Sequence, residues 1–212
     1  MTSIGILGSG RVATGLAAQL ASVGHEVTVG SRNPTATAAQ WTGPAVRHSD
    51  HAGTARHAPV VINATPGNTT LQRLTALREE LDGTILVDVS NATERGADGL
   101  PGGLCYPTSS LAEQLQQALP GTRVVKTLNT MLFTVMTDPG SLSTPPTAFL
   151  SGDDEDAKAA VGRLLADLGW RPEWIEDLGD ITTARATEAL VLLVPHLFRR
   201  HGPRPLALSV AR

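Results

Sequence analysis

Short apolar runs recur along the chain, separated by stretches in which apolar residues repeat at helical spacing. Ser3-Ile4-Gly5-Ile6-Leu7 reads as a first strand, and 12–22 as the helix behind it. A second strand is predicted over 26–29, a helix over 35–41, an extended piece over 45–48 and a small helix over 50–56. Pro59-Val60-Val61-Ile62-Asn63-Ala64 is continuous enough for a buried parallel strand. A helix over 70–80 and a strand over 84–89 follow. The glycine- and proline-rich 95–107 reads as a loop. Ser110-Leu111-Ala112-Glu113 has the form of a capping box opening a helix that Pro120-Gly121 stops. Strands are then predicted over 123–127, 147–152 and 171–175, with a helix over 154–168 that Asp153 caps. The longest helix is expected over 181–199, before an extended tail over 205–210. Alternation of this kind predicts an α/β fold with a mostly parallel, doubly wound sheet.

The first strand-to-helix turn carries chemistry. Gly8-Ser9-Gly10-Arg11-Val12-Ala13 is a G-x-G-x-x-A arrangement between a strand and a helix, the setting that gives the motif meaning. The first glycine allows the tight turn, the second lets backbone approach a pyrophosphate, and the third small residue lets helix and strand pack. Free N–H groups at the helix start attract phosphate. The reading is a Rossmann-type dinucleotide site with Gly8, Ser9, Gly10, Arg11 and Val12 on the pyrophosphate. Sites for NAD place an Asp or Glu at the end of the second strand, about 20 residues further on, to hold the ribose 2′-OH. Here the residues are Gly30-Ser31-Arg32-Asn33-Pro34. A hydroxyl and a planar cation suit a 2′-phosphate, so NADP(H) is expected, with Ser31, Arg32 and Asn33 beside it. Asn33 also stands where a cap for the next helix belongs.

Composition narrows the picture. The 212 residues suit one sizeable α/β domain with a small extension, read as 1–150 for the NADP-binding part and 151–212 for a C-terminal α/β piece on the same core. A net charge of −3 offers no basic stripe for nucleic acid. The single cysteine, Cys105, fits a reducing compartment, the first strand begins too early for a signal peptide, and no apolar run reaches 18 residues. A cytoplasmic protein without membrane spans is expected. The apolar positions of the last helix, Leu190, Leu193, Val194 and Leu197 among them, predict a homodimer.

Ligands of such sheets bind beyond the carboxyl ends of the strands. Ala64, Thr65 and Pro66 there are expected along the nicotinamide ribose, and Asn129 and Thr130 near the carboxamide, with Asn91 and Thr93 as further lining. No Tyr-x-x-x-Lys pair exists for carbonyl reduction. Lys126 is the one candidate proton donor, although a strand lysine that snorkels to the surface is the simpler expectation. His25 reads as a turn residue and His196 as structural. His48, His51 and His57 lack metal-ligand spacing, so no metal is expected. With no obvious acid or base, no catalytic residue is assigned. The hydride acceptor should then need little proton transfer from protein, as a flavin or deazaflavin ring does. Proximity and orientation would supply most of the rate.

The chain resembles the NADPH-dependent F420 reductase family, the F420H2:NADP oxidoreductases and their bacterial dinucleotide-binding relatives. The resemblance is carried by Gly8 to Ala13, Gly24-His25-Glu26-Val27-Thr28-Val29-Gly30-Ser31-Arg32, Arg123-Val124-Val125-Lys126-Thr127-Leu128-Asn129-Thr130, Ser151-Gly152-Asp153-Asp154 and Gly179-Asp180-Ile181. It implies a compact fold, NADP on the Gly8 loop, and F420, FMN or FAD as a co-substrate stacked on the nicotinamide. Two departures stand out. A lysine that some members carry just after the Ser-Arg pair is absent, and the tail Leu206-Ala207-Leu208-Ser209-Val210-Ala211-Arg212 lacks the aromatic, basic Phe-x-Phe-Lys stretch that many bacterial relatives carry before a final Val-Arg. The expected activity is hydride transfer between NADP(H) and a deazaflavin or flavin-type small-molecule acceptor. The alternatives are an NADPH-dependent carbonyl or imine reductase of a biosynthetic pathway and a non-catalytic NADP(H)-sensing module.

Overall fold

A computed structural model describes residues 1–211; Arg212, the last residue of the predicted tail, lies outside the described residues. The chain runs through β1 (Ser3–Leu7), α1 (Arg11–Ser22), β2 (Glu26–Gly30), α2 (Pro34–Ala39), β3 (Arg47–Ser49), α3 (His51–Arg56) and β4 (Val60–Asn63). It continues through α4 (Gly67–Thr75), α5 (Arg78–Leu81), β5 (Ile85–Asp88), β6 (Thr93–Arg95), β7 (Pro101–Leu104), α6 (Leu111–Ala118) and β8 (Arg123–Lys126). The last part holds α7 (Phe133–Met136), β9 (Ala148–Leu150), α8 (Glu155–Asp167), β10 (Ile175–Asp177), α9 (Ala184–Ala189) and α10 (Leu193–His201).

Six strands form one parallel sheet in the order β3-β2-β1-β4-β5-β8. Ile6 of β1 lies opposite Val29 on one side and Ile62 on the other. The strand order reverses between β1 and β4, which opens a crevice at their carboxyl ends. Apolar layers cover both faces, as a doubly wound parallel sheet requires. On one face Ile4 and Ile6 pack with Leu16 and Leu20 of α1, Val135 of α7, and Val161 and Leu165 of α8. On the other, Leu7, Val61 and Leu86 pack with Leu74, Leu81, Leu111 and Leu115. Each such buried leucine contributes roughly 1.5–3 kcal/mol. Beyond β8, β9 and β10 pair in parallel around α8, and Lys126 and Ser151 exchange backbone hydrogen bonds that tie this piece to the sheet edge.

Four expectations need correction. The segment 95–107 is not all loop, because β6 and β7 form a small antiparallel hairpin there. Its glycines carry no apolar alternation to read. The strand expected over 171–175 starts four residues later, because Pro172 opens a short 3-10 turn. The helix expected over 70–80 starts at Gly67 and ends at Thr75, where Leu77 N–H tightens onto the Leu74 carbonyl before α5 begins. The long helix over 181–199 alternates 3-10 and α turns, leaving α8 as the longest helix among the described residues. Pro195 supplies the reason: it has no N–H for the Val191 carbonyl, and the 3-10 turn of residues 190–192 lies just before it. Among the described residues no helix is long and apolar enough to cross a membrane.

Candidate functional site

The β1–α1 turn is held by backbone contacts at the crevice. Gly8 N–H donates to the Gly30 carbonyl at the end of β2, and Ala64 N–H donates to the Leu7 carbonyl. Gly8 has φ +125, and a Cβ there would stand 2.7 Å from the Ala64 carbonyl oxygen. Only glycine satisfies both conditions. Gly10 has nothing within 4 Å of the place its Cβ would occupy, so its backbone faces open space. That opening belongs to a cleft of about 560 Å³ lined by Gly8, Ser9, Gly10, Val12, Ser31, Arg32, Ala64, Thr65 and Pro66. The backbone at the start of α1 is therefore open to the cleft.

Two expected residues are engaged elsewhere. The Arg11 guanidinium lies over the Phe133 ring, 4.8 Å from its centroid, instead of lining the cleft. Asn33 caps α2, its Oδ1 accepting the Ala36 N–H at 3.1 Å. Ser31 is buried, and its hydroxyl shares a 2.7 Å hydrogen bond with Thr37. Three lining residues went unassigned in the sequence: His51 of α3, and Thr69 and Arg73 of α4. They lie outside the glycine fingerprint, and only the fold brings these two helices to the end of β2.

The cleft continues along the strand ends. A neighbouring depression shares Pro66 with it and reaches Asn91 and Thr93. A groove beyond that shares Asn91 and is lined by Asn129, Thr130, Met131 and apolar residues of 190–197 and 206–208. Asn91 Nδ2 donates to the Asn129 carbonyl at 2.8 Å, and Asn129 Nδ2 donates to Asn91 Oδ1 at 3.0 Å. Leu128, just before them, has φ 57, a left-handed conformation that a leucine adopts only under constraint from its surroundings. Its burial in the core supplies that constraint. The Thr130 hydroxyl is buried without a hydrogen-bond partner. None of the residues lining this groove is titratable.

Below the groove lies a buried charge cluster. Lys126 does not snorkel; it is 1% exposed. Its ammonium donates to Asp88 at 2.8 Å, to Glu188 at 2.7 Å and to the Ser90 carbonyl. Burial alone would lower its pKa, but the charges of Asp88 and Glu188 outweigh burial and raise it. With three N–H bonds given to three acceptors, Lys126 has no proton aimed at a ligand. Glu188 also accepts the N–H groups of Leu111 and Ala112, where the positive end of α6 favours a carboxylate. Asp88 in turn accepts from Asn63 and Ser90.

The remaining candidates have structural roles. His25 bonds Asp167 at 3.0 Å and ties the α1–β2 turn to α8. Trp170 is buried and donates to the Met136 carbonyl at 3.0 Å.

Comparison with known proteins gives consistent likenesses. Residues 3–92 match the family model described as NADP oxidoreductase, coenzyme F420-dependent. The crystal structure of a candidate F420-dependent NADP-reductase from Arthrobacter sp. FB24 superposes with a TM-score of 0.92, at 39% identity, covering 100% of both chains. The rat metalloreductase STEAP3 is 33% identical over 189 residues, 89% of this chain and 36% of its own length. The F420-dependent NADP reductase of Methanocaldococcus jannaschii is 28% identical over 145 residues, 66% of this chain and 62% of its own. The chain thus spans little more than a third of the length of the metalloreductases it matches.

Proposed function

The chain belongs to the F420-dependent NADP oxidoreductase family, and from that premise we propose that it transfers hydride between NADP(H) and a deazaflavin such as F420. It is an NADP-dependent oxidoreductase; the acceptor and the residue roles are our reading. Gly8, Ser9, Gly10 and Val12 seat the pyrophosphate through backbone N–H groups and the N-terminal end of α1. Ser31 and Arg32 take the 2′-phosphate. Ala64, Thr65 and Pro66 border the ribose, and Asn129 and Thr130 border the carboxamide. When bound, the reduced nicotinamide would supply the hydride, and the single proton that the reduced acceptor also takes up on a ring nitrogen would come from water.

The observation that carries the acceptor is the groove beside Asn129, which is apolar and lined by no titratable side chain. It suits a flat ring held by contact and shielded from water, and it offers no acid for a carbonyl or imine. Lys126, the one earlier candidate for that task, is saturated by its own partners. The same reading includes a homodimer through α10, whose Leu193 and Leu197 are exposed; light scattering on the purified chain tests it.

Anaerobic stopped-flow mixing of the protein and NADPH with F420, FMN or FAD tests the acceptor. Catalytic bleaching of F420 with many turnovers is expected. Binding of NADPH with no reduction of any of the three would make the protein a sensing module and overturn the proposal.

A further inference from the structure

Arg32 and Arg73 line one cleft from two different elements, the turn after β2 and helix α4. Neither forms an ion pair with a carboxylate among the described residues. The Arg73 Nε is buried without a hydrogen-bond partner, and its Nη2 reaches only Thr69 Oγ1, at 3.4 Å. A half-buried guanidinium with spare donors is uncommon, because unpaired buried donors are costly. Here a second cation shares the space, which adds repulsion. His51 stands in the same cleft and is close enough to feel both arginines. Burial first, and then the charges of Arg73 and Arg32, lower its pKa, with Asp50 and the Gly30 backbone pulling the other way. The Asp50 carboxylate is already held as the cap of α3, accepting the Gly53 N–H at 2.7 Å. The cleft is therefore a place with two unneutralised cations, an imidazole and no free carboxylate.

We propose that Arg73 and His51 complete, with Arg32, the cradle for the 2′-phosphate of NADP(H), and so set the preference of this protein for the phosphorylated dinucleotide. The inference rests on the NADP(H) site proposed above and adds two residues to it. A phosphate dianion supplies the counter-charge that the cleft lacks. Arg32 and Arg73 bring planar donor forks, which match phosphate oxygens better than an ammonium does. His51, at the start of α3, has one ring nitrogen engaged with the Gly30 backbone, and a phosphate dianion beside it favours the protonated ring, whose other nitrogen then donates an N–H. The cradle spans β2, α3 and α4, so its geometry is fixed by the sheet and not by one flexible loop.

Calorimetric titration with 2′,5′-ADP and with 5′-AMP isolates the added phosphate without any turnover. The unaltered protein should bind 2′,5′-ADP far more tightly than 5′-AMP. Arg73→Gln should weaken 2′,5′-ADP by about tenfold or more, the size of a lost charge-assisted hydrogen bond, and 5′-AMP by less than about twofold. Arg73→Lys should restore part of the loss, and His51→Gln should weaken 2′,5′-ADP alone, by a smaller factor. Circular dichroism and thermal melting check that each variant is folded; Arg73 makes one weak side-chain bond, so Arg73→Gln should melt like the parent. Equal losses for both nucleotides, or retained discrimination in Arg73→Gln, would overturn the inference while leaving the NADP(H) site standing. An unaltered protein that does not discriminate between the two nucleotides would remove both.

Discussion

In the proposed site, the charge of Arg32 is one part of the choice between dinucleotides. A carboxylate at the end of β2 would bond a free ribose hydroxyl and repel a phosphate; a guanidinium does the reverse. Replacing Arg32 by Ala is expected to raise the apparent NADPH constant by about tenfold or more while moving the NADH constant little, as steady-state kinetics with both nucleotides would register. Equal shifts would count against the assignment. Gly8 is the other residue where one atom matters. A methyl group there meets the Ala64 carbonyl, and the positive φ adds backbone strain. Gly8→Ala should lower stability by roughly 1–3 kcal/mol and weaken every dinucleotide alike, phosphorylated or not, as urea unfolding and calorimetry would record. The two variants thus separate the shape of the turn from its selectivity.

Helices and strands are joined under the groove by the buried cluster of Lys126, Asp88 and Glu188, which links β8, β5 and α9, and through Glu188 reaches the start of α6. Removing its only cation leaves two buried carboxylates facing each other. Lys126→Met should cost about 3–5 kcal/mol in urea unfolding; a loss below about 1 kcal/mol would show that the cluster is not holding these elements. The raised pKa of Lys126 gives the pH dependence its sign. Its contribution is complete below the ordinary lysine value of 10.5 and is lost as pH rises through the higher folded value, so alkaline unfolding should be sharper in the parent than in the methionine variant. From sequence, Lys126 sits in an apolar strand, and neither Asp88, 38 residues before it, nor Glu188, 62 residues after it, signals the pairing. The Gly8 loop and the Ser31-Arg32 pair were legible because both are local in the chain. The alternation of strands and helices was legible for the same reason. The hairpin of β6 and β7 was hidden by its glycines, and the break before α10 by the long apolar run around Pro195. His51 and Arg73 had no local signature at all, since only the closing of the sheet brings α3 and α4 to the end of β2.

Over the whole molecule, one line of clefts follows the carboxyl ends of the strands. It runs from the cations at β2 through Pro66 and Asn91 to the apolar groove at 190–197. Its charged end suits phosphate, and its apolar end suits a ring system that must meet the nicotinamide out of water. The most direct test of this arrangement is isotopic. NADPH carrying deuterium at the transferable position of the nicotinamide is mixed anaerobically with F420 and the protein, and the reduced acceptor is weighed by mass spectrometry. Direct transfer in a dry site predicts that the label appears on the ring carbon of the acceptor without dilution by solvent. Label retained in the nicotinamide, or washed out into water, would contradict the account.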